Sequence, residues 1–130
     1  KKKKKKKKIT SLFQYIRCPG ITPEGLCFEA IQKEIVSGTN NVDSYFINFS
    51  DGEPYFENAD IQYYGYSAVR HTKMQVDSMR DRGIKVNSYM IDGGDHIKNF
   101  KTMYGEDAQK INVTKISELT KSLNKRFITK

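Results

Sequence analysis

Two short stretches of the chain set oxygen ligands beside flexible backbone. Ser50-Asp51-Gly52 puts a hydroxyl, a carboxylate and a glycine in succession, with Pro54 close behind. Gly20-Ile21-Thr22-Pro23-Glu24-Gly25 brings a second hydroxyl, that of Thr22, to the head of a helix. A third stretch, Asp92-Gly93-Gly94-Asp95, adds two more carboxylates and is followed by His96. Hydroxyl and carboxylate oxygens suit a hard cation such as Mg2+, which takes oxygen ligands octahedrally and keeps several waters. By type alone Thr22 and Asp51 offer one such hydroxyl and one such carboxylate among these loops, a weak signal, and no residue reads as catalytic. Each also has a plainer reading, Thr22 as a helix cap and Asp51 as a turn residue before Gly52. His71 reads as a packed or solvated helical side chain. His96 reads as part of a polar loop, with an approach to the edge of the site as the alternative. The chain has no Gly-x-Ser-x-Gly, no phosphate-binding loop and no His-Glu-x-x-His, so nothing pairs a nucleophile with a base.

The elements that must position these groups follow from hydrophobic spacing. Residues 45–49 form an almost continuous apolar run, the pattern of a strand covered on both faces. Pro54 keeps the chain from re-entering a ladder. A buried strand ending in Ser-Asp-Gly delivers Asp51 to the carboxyl edge of a sheet, where open α/β folds bind ligands. Upstream, Ile9, Leu12, Phe13 and Ile16 make one helical stripe that ends at Cys18-Pro19-Gly20. A second helix is expected with Thr22 as N-cap, Pro23 at its first position and Glu24 in its first turn. Its buried face is expected to be Leu26, Cys27, Ala30, Ile31 and Ile35, and Ser37-Gly38 stops it.

Beyond Pro54, Tyr55, Phe56, Tyr63, Tyr64 and Tyr66 lie in a polar stretch. They read as aromatics packing a long loop onto the body, with a binding surface as the alternative. A helix is expected from Ser67, with Ala68, Thr72, Val76 and Met79 on one side and Gly83 as its stop. A second strand over 84–91, a short helix over 98–104 and a brief strand over 109–113 come next. An amphipathic helix capped by Thr114 closes the chain, with Ile116, Leu119, Leu123 and Phe127 along one side. Helices alternating with strands predict a mainly parallel sheet with helices on both faces, a three-layer α/β/α, Rossmann-like domain.

Composition bounds the function classes. The 130 residues are 37% hydrophobic and 12% aromatic, enough for one globular core. The net charge of +8 is carried entirely by Lys1 to Lys8, because without them 15 basic residues face 15 acidic ones. Residues 1–8 therefore read as a solvated tail and 9–130 as a neutral partial domain, so nucleic-acid binding through the lysines ranks third among functions. Cys18 and Cys27 lack metal-ligand spacing and are expected to be reduced, partly buried thiols. No apolar run reaches membrane-spanning length and no signal peptide is visible, so a cytoplasmic setting is expected. The chain starts in a homopolymer without Met, and is expected to be a portion of something longer.

The stretches Gly20-Ile-Thr-Pro-Glu-Gly25 and Phe49-Ser-Asp-Gly-Glu-Pro54 resemble those of the von Willebrand factor A domain. They are most similar to the branch holding the C-terminal domain of the cobaltochelatase T subunit and the nitric-oxide-reductase activation proteins. The likeness continues through His71-Thr-Lys-Met-Gln-Val76, Gly83-Ile-Lys-Val86, Phe100-Lys-Thr-Met-Tyr-Gly105 and Ile116-Ser-Glu-Leu119, covering roughly 9–130. The resemblance implies that Thr22 and Asp51 are two of the three arms of a Mg2+-dependent adhesion site. It implies a protein-interaction module whose partner offers an Asp or Glu carboxylate, working with an AAA+ ATPase in metal insertion. The family's first arm, Asp-x-Ser-x-Ser after the first strand, is missing: Asp43-Ser44 and Asp77-Ser78 lack the spacing. Its place is upstream of Ile9, so the site is expected to be incomplete and the Asp51 strand to have an open edge. The rival expectation is an enzyme, a chelatase component or a hydrolase using the Asp92/Asp95 loop.

Overall fold

The computed structural model describes residues 20–91 and 95–112, together with Ser117, Thr120, Lys121 and Asn124 as separate helical positions. The lysine tail, the helix expected over 9–16, Cys18, Asp92 and the apolar positions of the last helix lie outside the described residues. Helix α1 (Glu24–Ile31) runs on into a 3-10 turn, Gln32–Glu34. Strand β1 (Ser44–Ser50) follows, then two short strands, β2 (Phe56–Glu57) and β3 (Gln62–Tyr63). Helix α2 (Gly65–Asp81), strand β4 (Ile84–Ile91), helix α3 (Ile97–Tyr104), a 3-10 turn (Gly105–Asp107) and strand β5 (Ala108–Ile111) complete the order.

The fold is α/β, with a parallel sheet in the order β1-β4-β5. β1 pairs with β4 from Ser44↔Ile84 to Ser50↔Met90, and β4 with β5 from Ser88↔Ala108 to Ile91↔Ile111. Parallel neighbours need a crossover, and α2 and α3 supply the two. Because side chains alternate along a strand, Phe46, Val86 and Met90 share one face of the sheet. They meet Phe28 of α1, Val69, Val76 and Met79 of α2, and Phe100, Met103 and Tyr104 of α3 in one core. Phe28 packs edge-on to Phe46 with ring centres 5.0 Å apart. Each such fully buried side chain contributes about 1.5–3 kcal/mol. On the other face Phe49 stacks on Tyr89 at 5.4 Å, and Tyr89 is buried. The second helical layer expected there falls on residues outside those described. Among the described residues β1 is an edge strand of its sheet.

Three local expectations are corrected. The N-cap of α1 is Pro23, with no side-chain capping bond, and Thr22 is extended instead, paired across to Tyr55. A long-range partner has displaced the local cap. The buried face of α1 is Glu24, Gly25 and Phe28. Leu26 and Ile35 are half-buried, while Cys27, Ala30 and Ile31 are exposed. Gly25 explains the rotation, since a Cβ there would lie 2.2 Å from Tyr63 Oη and 2.8 Å from His71 Nδ1. The helix touches its neighbours through its glycine, so the apolar stripe turns outward. The polar stretch after Pro54 is a hairpin, with Phe56 opposite Tyr63 and Glu57 opposite Gln62. Asn58 closes it: its Oδ1 accepts from the Asp60 and Ile61 amides at 2.9 and 2.7 Å.

Candidate functional site

The parallel register puts the last residues of β1 and β4 at the same end of the sheet. β1 leaves the sheet at Ser50, and Gly52 (φ +95) turns the chain. That φ favours glycine, and a Cβ there would also meet the Met90 methyl at 2.7 Å. Ser50 Oγ accepts the Gly52 amide at 2.9 Å, and Asp51 Oδ1 accepts the Glu53 amide at 3.3 Å. The turn is thus built by the two side chains that precede it, and the exposed Asp51 carboxylate keeps its second oxygen clear of that turn bond.

The Thr22 loop is stitched to this turn. Thr22 N donates to Tyr55 O at 2.9 Å and Tyr55 N to Thr22 O at 3.0 Å. The Thr22 hydroxyl donates to Glu53 O at 2.8 Å. A hydroxyl whose hydrogen is engaged in this way still has lone pairs with which to accept. Thr22 and Asp51 both line one open cleft of about 490 Å3, shared with Ile21, Ser50, Phe49 and Ile91. The two residues singled out in the sequence are brought together, 29 positions apart in the chain. Two protein oxygens match in kind a hard cation that keeps most of its shell as water. No three His, Cys, Asp or Glu side chains gather among the described residues, so the donor set is oxygen-poor in number.

Glu24, read above only as a first-turn carboxylate of its helix, lies along the same cleft. Glu24 is 8% exposed, although it opens a helix. Its Oε1 accepts from Asn48 Nδ2 at 3.1 Å and its Oε2 from Tyr104 Oη at 3.1 Å. Asn48 also donates to Tyr104 Oη at 2.9 Å, closing a three-membered network. Burial pushes the Glu24 carboxyl above its ordinary range, hydrogen bonds from Ser50, Asn48 and Tyr104 pull it back, and the Asp51 charge raises it slightly. Burial and the Glu24 carboxylate together raise the Tyr104 phenol, which remains a donor. The clue in sequence was Asn48, one amide inside an otherwise apolar strand, which demands a buried polar partner.

Of the third loop, Asp95 and His96 are described, and Asp95 is exposed. His96 does reach the site edge: its Nδ1 lies 3.1 Å from Glu53 Oε2. His71 packs rather than ligates, with Nδ1 3.0 Å from Tyr63 Oη and Nε2 3.0 Å from Gln75 Nε2. A second cleft, of about 470 Å3, opens at the amino ends of β1 and β4 beside Tyr45, Arg80 and Lys85. Its described lining carries Arg80 and Lys85 and no carboxylate. No described helix is long and apolar enough to cross a membrane. No protein-family model, no curated protein and no solved structure matches the chain.

Proposed function

We propose that the chain is a cation-dependent protein-interaction module of von Willebrand A type, in which Thr22 and Asp51 hold Mg2+ at the carboxyl edge of the sheet. One observation carries this reading: the Thr22 hydroxyl bonds the Glu53 carbonyl two residues past Asp51, fixing hydroxyl and carboxylate to a single cleft. Ligands of parallel α/β sheets bind at that edge. A bound divalent cation would supply a positive centre that an Asp or Glu carboxylate of a partner completes. The protein's own part is to hold two oxygens at fixed separation and to flank them with the apolar surface of Ile21 and Phe49, 41% and 46% exposed. In this reading the chain serves in the cytoplasm as an accessory to an AAA+ ATPase, as its resemblance to the cobaltochelatase branch suggests. With so few protein ligands, Mg2+ alone is held weakly.

Calorimetric titration of the full chain with an aspartate-bearing peptide, with and without Mg2+, tests the proposal. Binding should require Mg2+ and be lost in Asp51→Asn. Equal binding in EDTA would overturn it.

A second reading has one observation in its favour. The Glu53–His96 pair is a carboxylate-oriented imidazole, the arrangement of a general base. A hydrolase using the Asp92/Asp95 loop would cleave a nitrophenyl ester or phosphate, lose turnover in His96→Gln and Asp92→Asn, and tolerate Asp51→Asn. The reverse pattern, or no turnover, removes it.

A further inference from the structure

The hairpin formed by β2 and β3 presents an aromatic surface that the cation site does not use. Tyr55 and Tyr64 stack with ring centres 6.0 Å apart and planes 27° from parallel. They are 41% and 44% exposed, and beside them in the chain Ile61 is 46% and Tyr66 79% exposed. Two stacked rings left this open side by side are more than scattered surface apolarity. The surface is also rigidly held. Tyr63, between the exposed rings in sequence, points inward and is 8% exposed. Its hydroxyl lies 3.2 Å from Ala68 O, 3.0 Å from His71 Nδ1 and 3.2 Å from Thr72 Oγ1. At the other end the Thr22–Tyr55 backbone pair fastens the hairpin to the body. A preorganised aromatic pair binds at low entropic cost.

Charge decides what this surface takes. The span from Glu34 to Val69 contains six carboxylates and no Lys, Arg or His, and four of the six, Asp51, Glu53, Glu57 and Asp60, fall between the β1 turn and the hairpin tip. The rest of 9–130 carries +6, which leaves the body neutral only in sum. Within the hairpin Glu57 and Asp60 are exposed, and Glu57 Oε2 accepts from Tyr55 Oη at 2.8 Å. The first cation after the hairpin is Arg70, one helical turn past Tyr66. Aromatic faces rimmed by carboxylates attract ammonium and guanidinium groups through cation–π and Coulomb terms together. Acidic or purely apolar partners would meet the same carboxylates as repulsion or as uncompensated desolvation.

We propose that the Tyr55–Tyr64 face of the hairpin is a docking surface for a lysine- or arginine-rich segment of a partner protein, recognised independently of the cation site. The ammonium or guanidinium groups lie over the two rings with Glu57 and Asp60 as counter-charges.

The test is fluorescence anisotropy with a labelled Lys/Arg-rich peptide and a Glu-rich control of equal length. It is run on the full chain and on a chain lacking Lys1 to Lys8, because that tail is itself a basic segment and can compete. The basic peptide should bind at least one of the two forms, the control neither, and EDTA should change nothing. Tyr55→Ala with Tyr64→Ala should weaken binding at least tenfold, and Glu57→Gln with Asp60→Asn should flatten its salt dependence. All four side chains are exposed, so circular dichroism should report an unchanged fold. Binding by the lysine-free form alone supports the proposal and identifies the tail as an occupant in cis. No binding by either form overturns it, as does binding that survives both double substitutions or that requires Mg2+.

Discussion

Asp51 and Glu24 are two carboxylates along one cleft with opposite circumstances. Asp51 is exposed and fixed by the Glu53 amide, whereas Glu24 is buried and fixed by Asn48 and Tyr104. Because its folded carboxyl is raised, Glu24 binds its proton more tightly in the folded than in the unfolded chain. Its contribution to stability is therefore full below the ordinary carboxylate pKa and is lost as pH rises through the folded value. Glu24→Gln should remove that dependence, so that the variant gains on the parent as pH goes from 4 to 7. Urea midpoints at both pH values measure it, and parallel shifts in parent and variant would contradict it. Asp51 was legible in the sequence because a strand-ending Ser-Asp-Gly is local chemistry. Glu24 was not, since only the fold brings Asn48 and Tyr104 to it from 24 and 80 residues away.

At the scale of elements, what strands and helices do was readable and how they face was less so. β4 spans the predicted residues, and α2 and α3 stop before Gly83 and Gly105 as expected, because apolar runs and glycine stops act within a few residues. The face of α1 was misread because its contact is made through a glycine, which no hydrophobic stripe records. The end of α1 is held by a residue of another element. Arg82 donates Nη1 to Gln32 O and Nη2 to Ile35 O, each at 2.6 Å, and Nε to Ser37 Oγ at 3.1 Å. These bonds clamp the 3-10 turn that follows α1, where Gln32 O also accepts the Ile35 amide. Arg82→Ala should cost about 2 kcal/mol, since hydrogen bonds from charged groups contribute about 1.5–3 kcal/mol. Arg82→Lys should recover little of it, because an ammonium lacks the planar fork. Equal urea midpoints for Arg82→Ala and the parent would show that the clip is ornamental.

Along the chain, charge is unevenly distributed. Its sum of +8 reads as a nucleic-acid binder, but the lysine block supplies all of it, and residues 34–69 carry −6. Phosphate binding scales with the cations that displace counterions, so any DNA affinity of this chain should belong to the tail. Deleting Lys1 to Lys8 should abolish it. Steep, salt-dependent DNA binding that persists in 9–130 would instead place a phosphate surface on the body. The carboxyl edge of the sheet, by contrast, carries the Asp51 and Glu53 carboxylates within one turn, a local charge that favours cations over phosphate.

Whether Thr22 and Asp51 share a cation is read most directly by Mn2+ titration of the full chain followed by electron paramagnetic resonance. Free and bound Mn2+ are told apart without any partner present. The prediction is one weak site, abolished by Asp51→Ala, weakened by Thr22→Val and untouched by Asp95→Asn. Mn2+ binding that Asp51→Ala leaves unchanged, or no binding at any accessible concentration, would contradict it.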